Sequence, residues 1–160
     1  MLHLISLPEW NELPDIDLYM DQVVTYLSRI FQSALPKGEI TKAMVNNYVK
    51  FGLVARPNKK KYDRTHLATL LIICVLKQAL NMETIHGMLE VLFDEGPQKG
   101  YARFCQGMKR LEEAASAGEL IINWKEESSI DQTMMLGIMA AMCTIETYWM
   151  LQGQADEGRK

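Results

Sequence analysis

The sequence predicts a mainly α-helical fold with one small β-hairpin, and three observations lead to that prediction. Apolar residues recur at three- and four-residue steps along most of the 160-residue chain, which is the period of amphipathic helices. One stretch around Pro57 and Asn58 is typical of two short extended pieces joined by a turn. The composition is 48% apolar, which is enough for one core with a small second lobe.

The first helices are predicted from their end signals. An amphipathic helix runs from about Ile16 to Ala34. Thr41 can begin a second helix of about ten residues, because its hydroxyl can accept a hydrogen bond from a free amide of the first turn. Gly52 then ends that helix. The turn at Pro57 and Asn58 joins the predicted extended pieces Leu53 to Arg56 and Lys59 to Tyr62.

The second half is predicted to be entirely helical except for one connection. Asp63 caps a helix whose run LATLLIICVL is apolar on nearly every side, so it should lie at the centre of the core. Asn81 is predicted to end that helix in a left-handed conformation. The remaining predicted segments are helices over Met82 to Phe93, Tyr101 to Ala117 and Ile130 to Leu151, and a loop or short strand over Gly118 to Ser128.

Composition and patterning exclude several classes of protein. Three widely spaced cysteines favour buried thiols over a disulfide framework. The start of the chain lacks the basic flank and apolar run of a signal peptide. The longest uncharged apolar run, Thr133 to Ile145, is shorter than the roughly 20 residues of a membrane span. We therefore expect a cytoplasmic protein that does not enter a membrane.

A basic segment stands out in this acidic chain. Between Lys42 and Arg64 there are seven Lys or Arg residues and one Asp, a local charge of +6 in a protein of net charge -3. Phosphate backbones are the commonest partner of such a segment, although adjacent lysines can also be a plain solvated loop. The predicted DNA contacts are Lys42, Asn46, Asn47, Lys50, Arg56, Lys59, Lys60, Lys61 and Arg64.

The order of elements around this segment fits a winged helix. Lys42, Asn46 and Lys50 are spaced by four residues and share one helix face, and Asn and Lys can reach base edges or phosphates in a major groove. A basic hairpin would contact the adjacent backbone, adding affinity without sequence information.

The run Val45 to Leu53, VNNYVKFGL, followed by a basic wing ending in Tyr62, resembles the helix-turn-helix of MerR-type regulators. Val45 and Tyr48 match the Ile and the second Tyr of that family's Ile-Arg-Tyr-Tyr helix, and Gly52-Leu53 matches its turn. Roughly residues 7 to 100 also resemble a MerR-related family of Gram-positive bacteria whose function is unknown. The resemblance implies a MerR-like winged-helix domain over 1–95 and a C-terminal helical dimerisation or effector region over 96–160.

Residues that could indicate an enzyme do not assemble into a site. The histidines His3, His66 and His86 are isolated, and none has a metal-ligand spacing with Cys or a carboxylate. His66 lies in the first turn of the predicted central helix, so we expect a surface histidine rather than a metal ligand. No Gly-rich phosphate loop or nucleophile elbow is present. The sequence therefore predicts a non-enzymatic protein with no metal and no cofactor.

The last predicted helix is rich in methionine and apolar over a broad arc. Its breadth suggests burial on two sides, so it is either a central core helix, a dimer interface or a Met-lined pocket for a ligand. Gly137, Ala140 and Ala141 would permit the close approach of a second helix. The predicted dimer contacts are Met134, Met135, Ile138, Met139, Ala141, Met142 and Ile145.

Together these observations predict a transcriptional regulator that binds double-stranded DNA as a homodimer, because two-fold DNA sites match two-fold proteins. A small-molecule or protein effector could bind the C-terminal half. The alternative is a non-enzymatic protein-interaction adaptor. Asn46 and Asn47 stand where typical MerR-type regulators have the Arg and the first Tyr that grip the DNA backbone, and a degenerate winged helix can persist as a protein-binding module.

Overall fold

Six α-helices and a two-stranded antiparallel sheet form the part of the chain that the structure, a computed structural model, describes: residues 5–36, 39–118 and 128–157. The prediction of a mainly helical fold with a small sheet is confirmed. A 3-10 turn, Trp10–Glu12, precedes the first strand. The elements are β1 Leu18–Tyr19, α1 Met20–Phe31, α2 Lys42–Phe51, β2 Lys61–Tyr62, α3 Arg64–Leu76, α4 Met82–Leu92, α5 Pro97–Ser116 and α6 Ser129–Glu157.

Helix α3 lies at the centre of the molecule, as its sequence predicts. Every residue from His66 to Leu76 is buried, because α4, α5, α6 and β2 all pack around it. A helix covered on all sides has no need of a polar face, which explains the unbroken apolar run.

One continuous hydrophobic core joins the N-terminal and C-terminal helices. Helix α5 contacts both α3 and α6, so the core includes residues on both sides of the predicted domain boundary between residues 95 and 96, and the division into two domains stays a prediction. Gly137 of α6 allows close packing inside the chain, since a Cβ atom there would lie 2.6 Å from Cε of Met88 on α4. The close approach that Gly137 permits is therefore used by α4 of the same chain.

The sheet differs from the predicted hairpin. Strand β2 pairs with β1, with Leu18 opposite Tyr62, so its partner precedes α1 instead of following α2. The prediction that the segment Leu53 to Arg56 forms the partner strand is wrong. The backbone amides of Leu53 and Val54 both donate to the carbonyl oxygen of Tyr48, so this segment closes the end of α2.

Asn81 has the opposite role to the predicted one. Its φ of -79° and ψ of 166° are extended, and its side-chain oxygen accepts a hydrogen bond from the amide of Thr84 at 2.8 Å. Asn81 therefore begins α4 as its N-cap, and the prediction that it ends α3 in a left-handed conformation is wrong.

The N-terminal segment crosses α5. The hydroxyl of Tyr101 donates to the carbonyl oxygen of Pro8 at 2.7 Å, and Lys109 pairs with Glu9 at the same distance. Helix α5 begins at Pro97 rather than at Tyr101, since proline suits the first turn of a helix. Most of the loop or strand predicted over Gly118 to Ser128 lies outside the described residues.

Helix α6 is longer than the predicted Ile130 to Leu151. Among the described residues, its portion Ser129–Asp156 is the one helix long and apolar enough to cross a membrane, and its most apolar 18-residue window has a mean hydropathy of 1.4. The argument from the run Thr133 to Ile145 therefore understated the apolar length. Core helices of soluble proteins pass the same test of length and composition, so this is weak evidence and the cytoplasmic location stays a prediction.

Candidate nucleic-acid interface

Helix α2 presents a polar face to solvent. It begins at its predicted cap, where Oγ1 of Thr41 accepts a hydrogen bond from the amide of Met44, and it ends at Gly52, whose φ of +87° is left-handed. Val45 and Tyr48 anchor its inner side in the core. The exposed side carries four of the predicted contacts, Lys42, Asn46, Asn47 and Lys50.

The connection between α1 and α2 is longer than a helix-turn-helix requires. Helix α1 ends at Phe31 and α2 begins at Lys42, which leaves ten residues between them. The turn of a helix-turn-helix has about three to four residues. The two helices touch, but they are not joined in the way that the winged-helix prediction expects.

The three consecutive lysines form a tight turn, which we call the lysine turn (Asn58–Lys61). The amide of each end residue donates to the carbonyl oxygen of the other, at 2.9 and 3.1 Å. Lys59 and Lys60 have φ angles of 47° and 65°. Two central residues at positive φ are typical of the type I′ turn, which glycine and asparagine favour. The turn is therefore centred two residues after the predicted Pro57 and Asn58, on two lysines, which adopt this backbone at a cost.

His66 holds the base of the lysine turn. Its Nδ1 lies 2.7 Å from Oδ1 of Asp63, and its Nε2 lies 3.4 Å from the carbonyl oxygen of Arg56. The prediction of a surface histidine is wrong, because the ring is 8% exposed and packs edge-on against Tyr62. The spacing Asp63-x-x-His66, which matches a capping box at the start of α3, was the available signal.

The pKa of Asp63 reflects this cap. Partial burial acts to raise the pKa, but hydrogen bonds from the backbone and side chain of His66 outweigh it, and the net pKa lies below its usual value. The carboxylate therefore stays ionised at the start of α3, where the helix dipole favours negative charge.

The start of α1 brings the two basic elements together. Lys42, at the beginning of α2, forms an ion pair with Asp21 in the first turn of α1. Two residues earlier, the half-exposed ring of Tyr19 lies under Lys61, with Nζ 5.2 Å from the ring centroid. The α2 face and the lysine turn therefore flank the same junction. Sequence reasoning missed Tyr19 and Asp21, because both lie outside the basic segment.

The two arginines of the segment have different surroundings. Arg64 is partly buried, and its guanidinium donates to the carbonyl oxygens of Leu13 and Pro14 while lying 5.9 Å from the ring centroid of Trp10. It therefore holds the N-terminal segment against α3. Arg56 is exposed. Among the described residues no acidic side chain pairs with Arg56, Lys50, Lys59 or Lys60.

Tyr48, on the inner side of α2, carries an unsatisfied polar group. Its ring is 1% exposed and its hydroxyl has no hydrogen-bond partner in the described part of the structure. Burial raises the pKa of this hydroxyl well above its usual value. Nζ of Lys77, the residue that follows α3, lies 5.0 Å from the centroid of the Tyr48 ring. The aromatic ring, rather than the hydroxyl, holds α2 against the end of α3.

The predicted dimer contacts lie mostly in the core of the chain. Five of the seven are buried against α3, α4 and α5, because α6 uses its methionine-rich side for intramolecular packing. Those five are Met134, Met135, Ile138, Ala141 and Ile145. The two partly exposed residues, Met139 and Met142, line a groove between α5 and α6.

That groove is apolar and has a volume of about 280 Å³. Methionines from both helices line it, including Met108 and Met150, and the carboxylates Glu112 and Glu146 are also part of its wall. Flexible, polarisable methionines can repack around different ligands. Among the described residues, no group of three or more His, Cys, Asp or Glu side chains could hold a metal ion.

Comparison with known proteins gives a family without a function. A family model described as a domain of unknown function, DUF1836, matches residues 8–104, and the chain belongs to this family. No curated protein and no solved structure shows significant similarity to the chain. The matched region includes α2 and the lysine turn and ends within α5.

Proposed function

We propose that this member of the DUF1836 family is a DNA-binding transcriptional regulator that reads duplex DNA with α2 and grips the adjacent backbone with the lysine turn. The observation that carries the proposal is the meeting of these two basic elements at the start of α1. Lys42 contacts Asp21 there, and Lys61 covers Tyr19 two residues earlier. An exposed helix beside a basic turn matches the electrostatic footprint of a DNA-binding surface.

The chemistry of α2 suits a major groove. Its exposed side offers amide groups at Asn46 and Asn47 and ammonium groups at Lys42 and Lys50. Asparagine can bond an adenine edge with two hydrogen bonds, and lysine can reach guanine or a phosphate. The ten residues of α2 span about 15 Å, which is sufficient for several successive base pairs.

The backbone of the lysine turn supports a functional role for its side chains. A non-glycine residue in a left-handed conformation costs roughly 1–2 kcal/mol, and Lys59 and Lys60 both adopt one. Local strain of this kind is concentrated at functional sites. Lysines at the tip of a tight turn extend into solvent, where they can reach phosphates.

A MerR-like winged helix is the finer form of this proposal. The order of α2, the Gly52 cap, the lysine turn and α3 supports it. The ten-residue connection before α2 and the pairing of β2 with β1 are departures from that pattern. The DNA proposal does not depend on this relationship, because it is argued from the exposed side chains.

Binding of the purified protein to random and selected duplexes, at several salt concentrations, tests the proposal. Replacing both Lys59 and Lys60 by Ala should weaken binding to every duplex and lower the salt slope by about 0.9 unit per lost phosphate contact. Asn46→Ala should instead cost on the order of 1–3 kcal/mol at one base position. Lys99→Ala, an exposed lysine of α5 outside the basic segment, is the matched control. An unchanged slope in the double variant would remove the turn from the interface.

The groove between α5 and α6 favours the second candidate, a protein-interaction adaptor. A methionine-lined groove with a wall of two carboxylates suits a partner helix with basic and apolar residues. Under this alternative the basic segment is only a solvated surface. Absence of duplex binding at low salt, together with binding of a basic amphipathic peptide that Met139→Ala weakens, would favour the adaptor.

A further inference from the structure

Helix α2 exposes two parallel rows of side chains. The first row is basic and consists of Lys42, Asn46 and Lys50. The second row, which we call the Phe51 row, consists of Ala43, Asn47 and Phe51. The members of each row are spaced by four residues, so they lie along one line of the helix surface. The positive charge of this face does not explain why the Phe51 row carries two exposed apolar residues.

The ring of Phe51 is held outside the core by the way α2 ends. It is 50% exposed, whereas the other three phenylalanines of the chain are buried or partly buried. Phe51 is the last residue of α2, and the left-handed Gly52 that follows it turns the chain inward. Leu53 and Val54 then enter the core. The fold therefore fills the core with these two residues and leaves the aromatic ring in solvent beside the basic row.

The chemistry of the Phe51 row matches the major-groove edge of an A·T base pair. Asparagine can bond N6 and N7 of adenine with two hydrogen bonds. Thymine presents its 5-methyl group in the same groove, and apolar side chains such as alanine and phenylalanine are its usual contacts. The row places an amide, Asn47, between the two apolar side chains of Ala43 and Phe51. Both halves of an A·T pair therefore have a suitable contact in one row.

We infer that α2 reads A·T base pairs, with Asn47 bonded to an adenine and Phe51 packed on the 5-methyl group of a thymine. The inference rests on the proposed DNA-binding function and names the base pairs that the same surface would recognise. Phe51 lies two turns after Ala43, and the row covers about 12 Å, or about three to four base pairs of a duplex. A short A·T tract is therefore sufficient to occupy it.

The surroundings of the ring favour duplex DNA over RNA or a protein as its partner. Helix α2 contains two lysines and no Asp or Glu, and Lys50 directly precedes Phe51. A DNA duplex offers apolar methyl groups in a groove that is bordered by negative phosphates, which is the combination that this face complements. RNA does not offer it, because uracil lacks the 5-methyl group and the major groove of an RNA helix is too deep and narrow for side chains to read.

Substitution of thymine by deoxyuridine tests the inference, because it removes the 5-methyl group and leaves the base pairing in place. Duplexes that bind the full chain are first selected from a random pool at one fixed, low salt concentration. The selected sequences should share a core of A·T pairs. Replacing the contacted thymine of that core by deoxyuridine should weaken binding of the parent protein roughly fourfold, which is the effect expected when one methyl group is no longer buried.

Variants of Phe51 link this effect to one side chain. Phe51→Ala should bind the thymine and deoxyuridine duplexes equally, because the group that contacts the methyl is absent. Its affinity for the selected duplex should fall while the salt slope stays at the parent value, since no charge is lost. Phe51→Leu keeps an apolar contact and should retain a preference for thymine. Val91→Ala, at a 44% exposed apolar residue of α4, is the matched control and should discriminate as the parent does.

The outcomes separate this inference from the DNA proposal. Equal binding of the thymine and deoxyuridine duplexes by the parent would overturn the inference and leave the DNA proposal intact. A selected core of G·C pairs, or full discrimination by Phe51→Ala, would have the same consequence. Absence of binding to every duplex would overturn both, and a protein partner would then account for the exposed ring of Phe51.

Discussion

Deleting one hydroxyl from each of two buried tyrosines should change stability in opposite directions. Tyr48 and Tyr101 are both almost completely buried, at 1% and 0% exposure. The Tyr101 hydroxyl donates a 2.7 Å hydrogen bond to the carbonyl oxygen of Pro8, whereas the Tyr48 hydroxyl has no partner among the described residues. Replacing either by Phe removes the same atom and leaves the ring in place, so the two variants isolate the value of the partner.

The magnitudes follow from the cost of an unsatisfied group. A buried hydroxyl without a partner costs roughly 1–3 kcal/mol, so Tyr48→Phe should stabilise the fold by about 1 kcal/mol after allowing for local relaxation. Tyr101→Phe loses a made hydrogen bond and should destabilise by about 0.5–1.5 kcal/mol. The contact of Lys77 with the ring at position 48 survives in Phe, because it is made with the ring face.

Urea or thermal unfolding measures both effects. For a domain of this size, 1 kcal/mol corresponds to a shift in Tm of about 2–4 °C. The two variants should therefore move Tm in opposite directions from the parent. If Tyr48→Phe destabilises the protein as much as Tyr101→Phe does, the Tyr48 hydroxyl makes a hydrogen bond in the folded protein and the reasoning is refuted. Because Tyr48 points inward, DNA binding should not fall in either case.

Four further substitutions test other parts of the structure. Lys60→Gly should stabilise the fold by about 0.5–1 kcal/mol in thermal unfolding, because glycine adopts a positive φ without strain. Lys60→Ala should lose the same charge and the same DNA affinity, but it should show no such gain in stability. Asp21→Asn should tighten DNA binding in a titration, because it removes an anion from the basic junction. Gly100→Ala should destabilise the fold by about 1–3 kcal/mol, because the new Cβ atom would lie 2.4 Å from a backbone oxygen of α4. Gly87→Ala, where a Cβ atom would meet open space, should instead stabilise the fold in the same thermal unfolding experiment. The pKa of Asp63 is lower in the folded than in the unfolded protein. Its carboxylate therefore stabilises the fold above its unfolded pKa of about 3.9, and this stabilisation is lost as the pH falls through the folded-state pKa. Asp63→Asn keeps the N-cap acceptor, so the free energy of unfolding of this variant should fall less than that of the parent below about pH 4.

Local signals made part of this fold predictable. Thr41 and Gly52 mark the ends of α2 because a hydroxyl cap and a left-handed glycine act through neighbouring backbone atoms alone. The burial of α3 follows from its composition, since almost every residue of its run LATLLIICVL is apolar. Each of these features can be read within a dozen residues of sequence.

Long-range choices were not predictable in the same way. Strand β2 could pair with the segment after α2 or with one that precedes α1, and the capping bonds to Tyr48 decide between them. His66 is buried because Tyr62, Asp63 and Arg56 surround it, a combination that appears only after the lysine turn has folded back. The candidate site was hard to predict for the same reason. Tyr19 contacts Lys61 and Asp21 pairs with Lys42, and each contact spans about forty residues or fewer of intervening chain.

Helix α6 shows why breadth of apolar surface does not by itself identify an interface. Its methionine-rich side faces the core, and the opposite side also carries the apolar residues Leu136 and Met150. The sequence offers no local reason for the first side to face α3. Gly137 decides the matter, because its missing side chain lets Met88 and Leu76 approach from the core. The side that carries Leu136 and Met150 is then left exposed.

The end of α6 contacts the connection that precedes α2. The indole Nε1 of Trp149 donates to the carbonyl oxygen of Ala34 at 3.1 Å, in the connection that leads from α1 to α2. Helix α6 therefore contacts the segment from which the exposed face of α2 begins. This contact helps to fix where α2 lies relative to the rest of the chain. A helix that reads base edges must be held in such a fixed position, and a mobile α6 could not provide it.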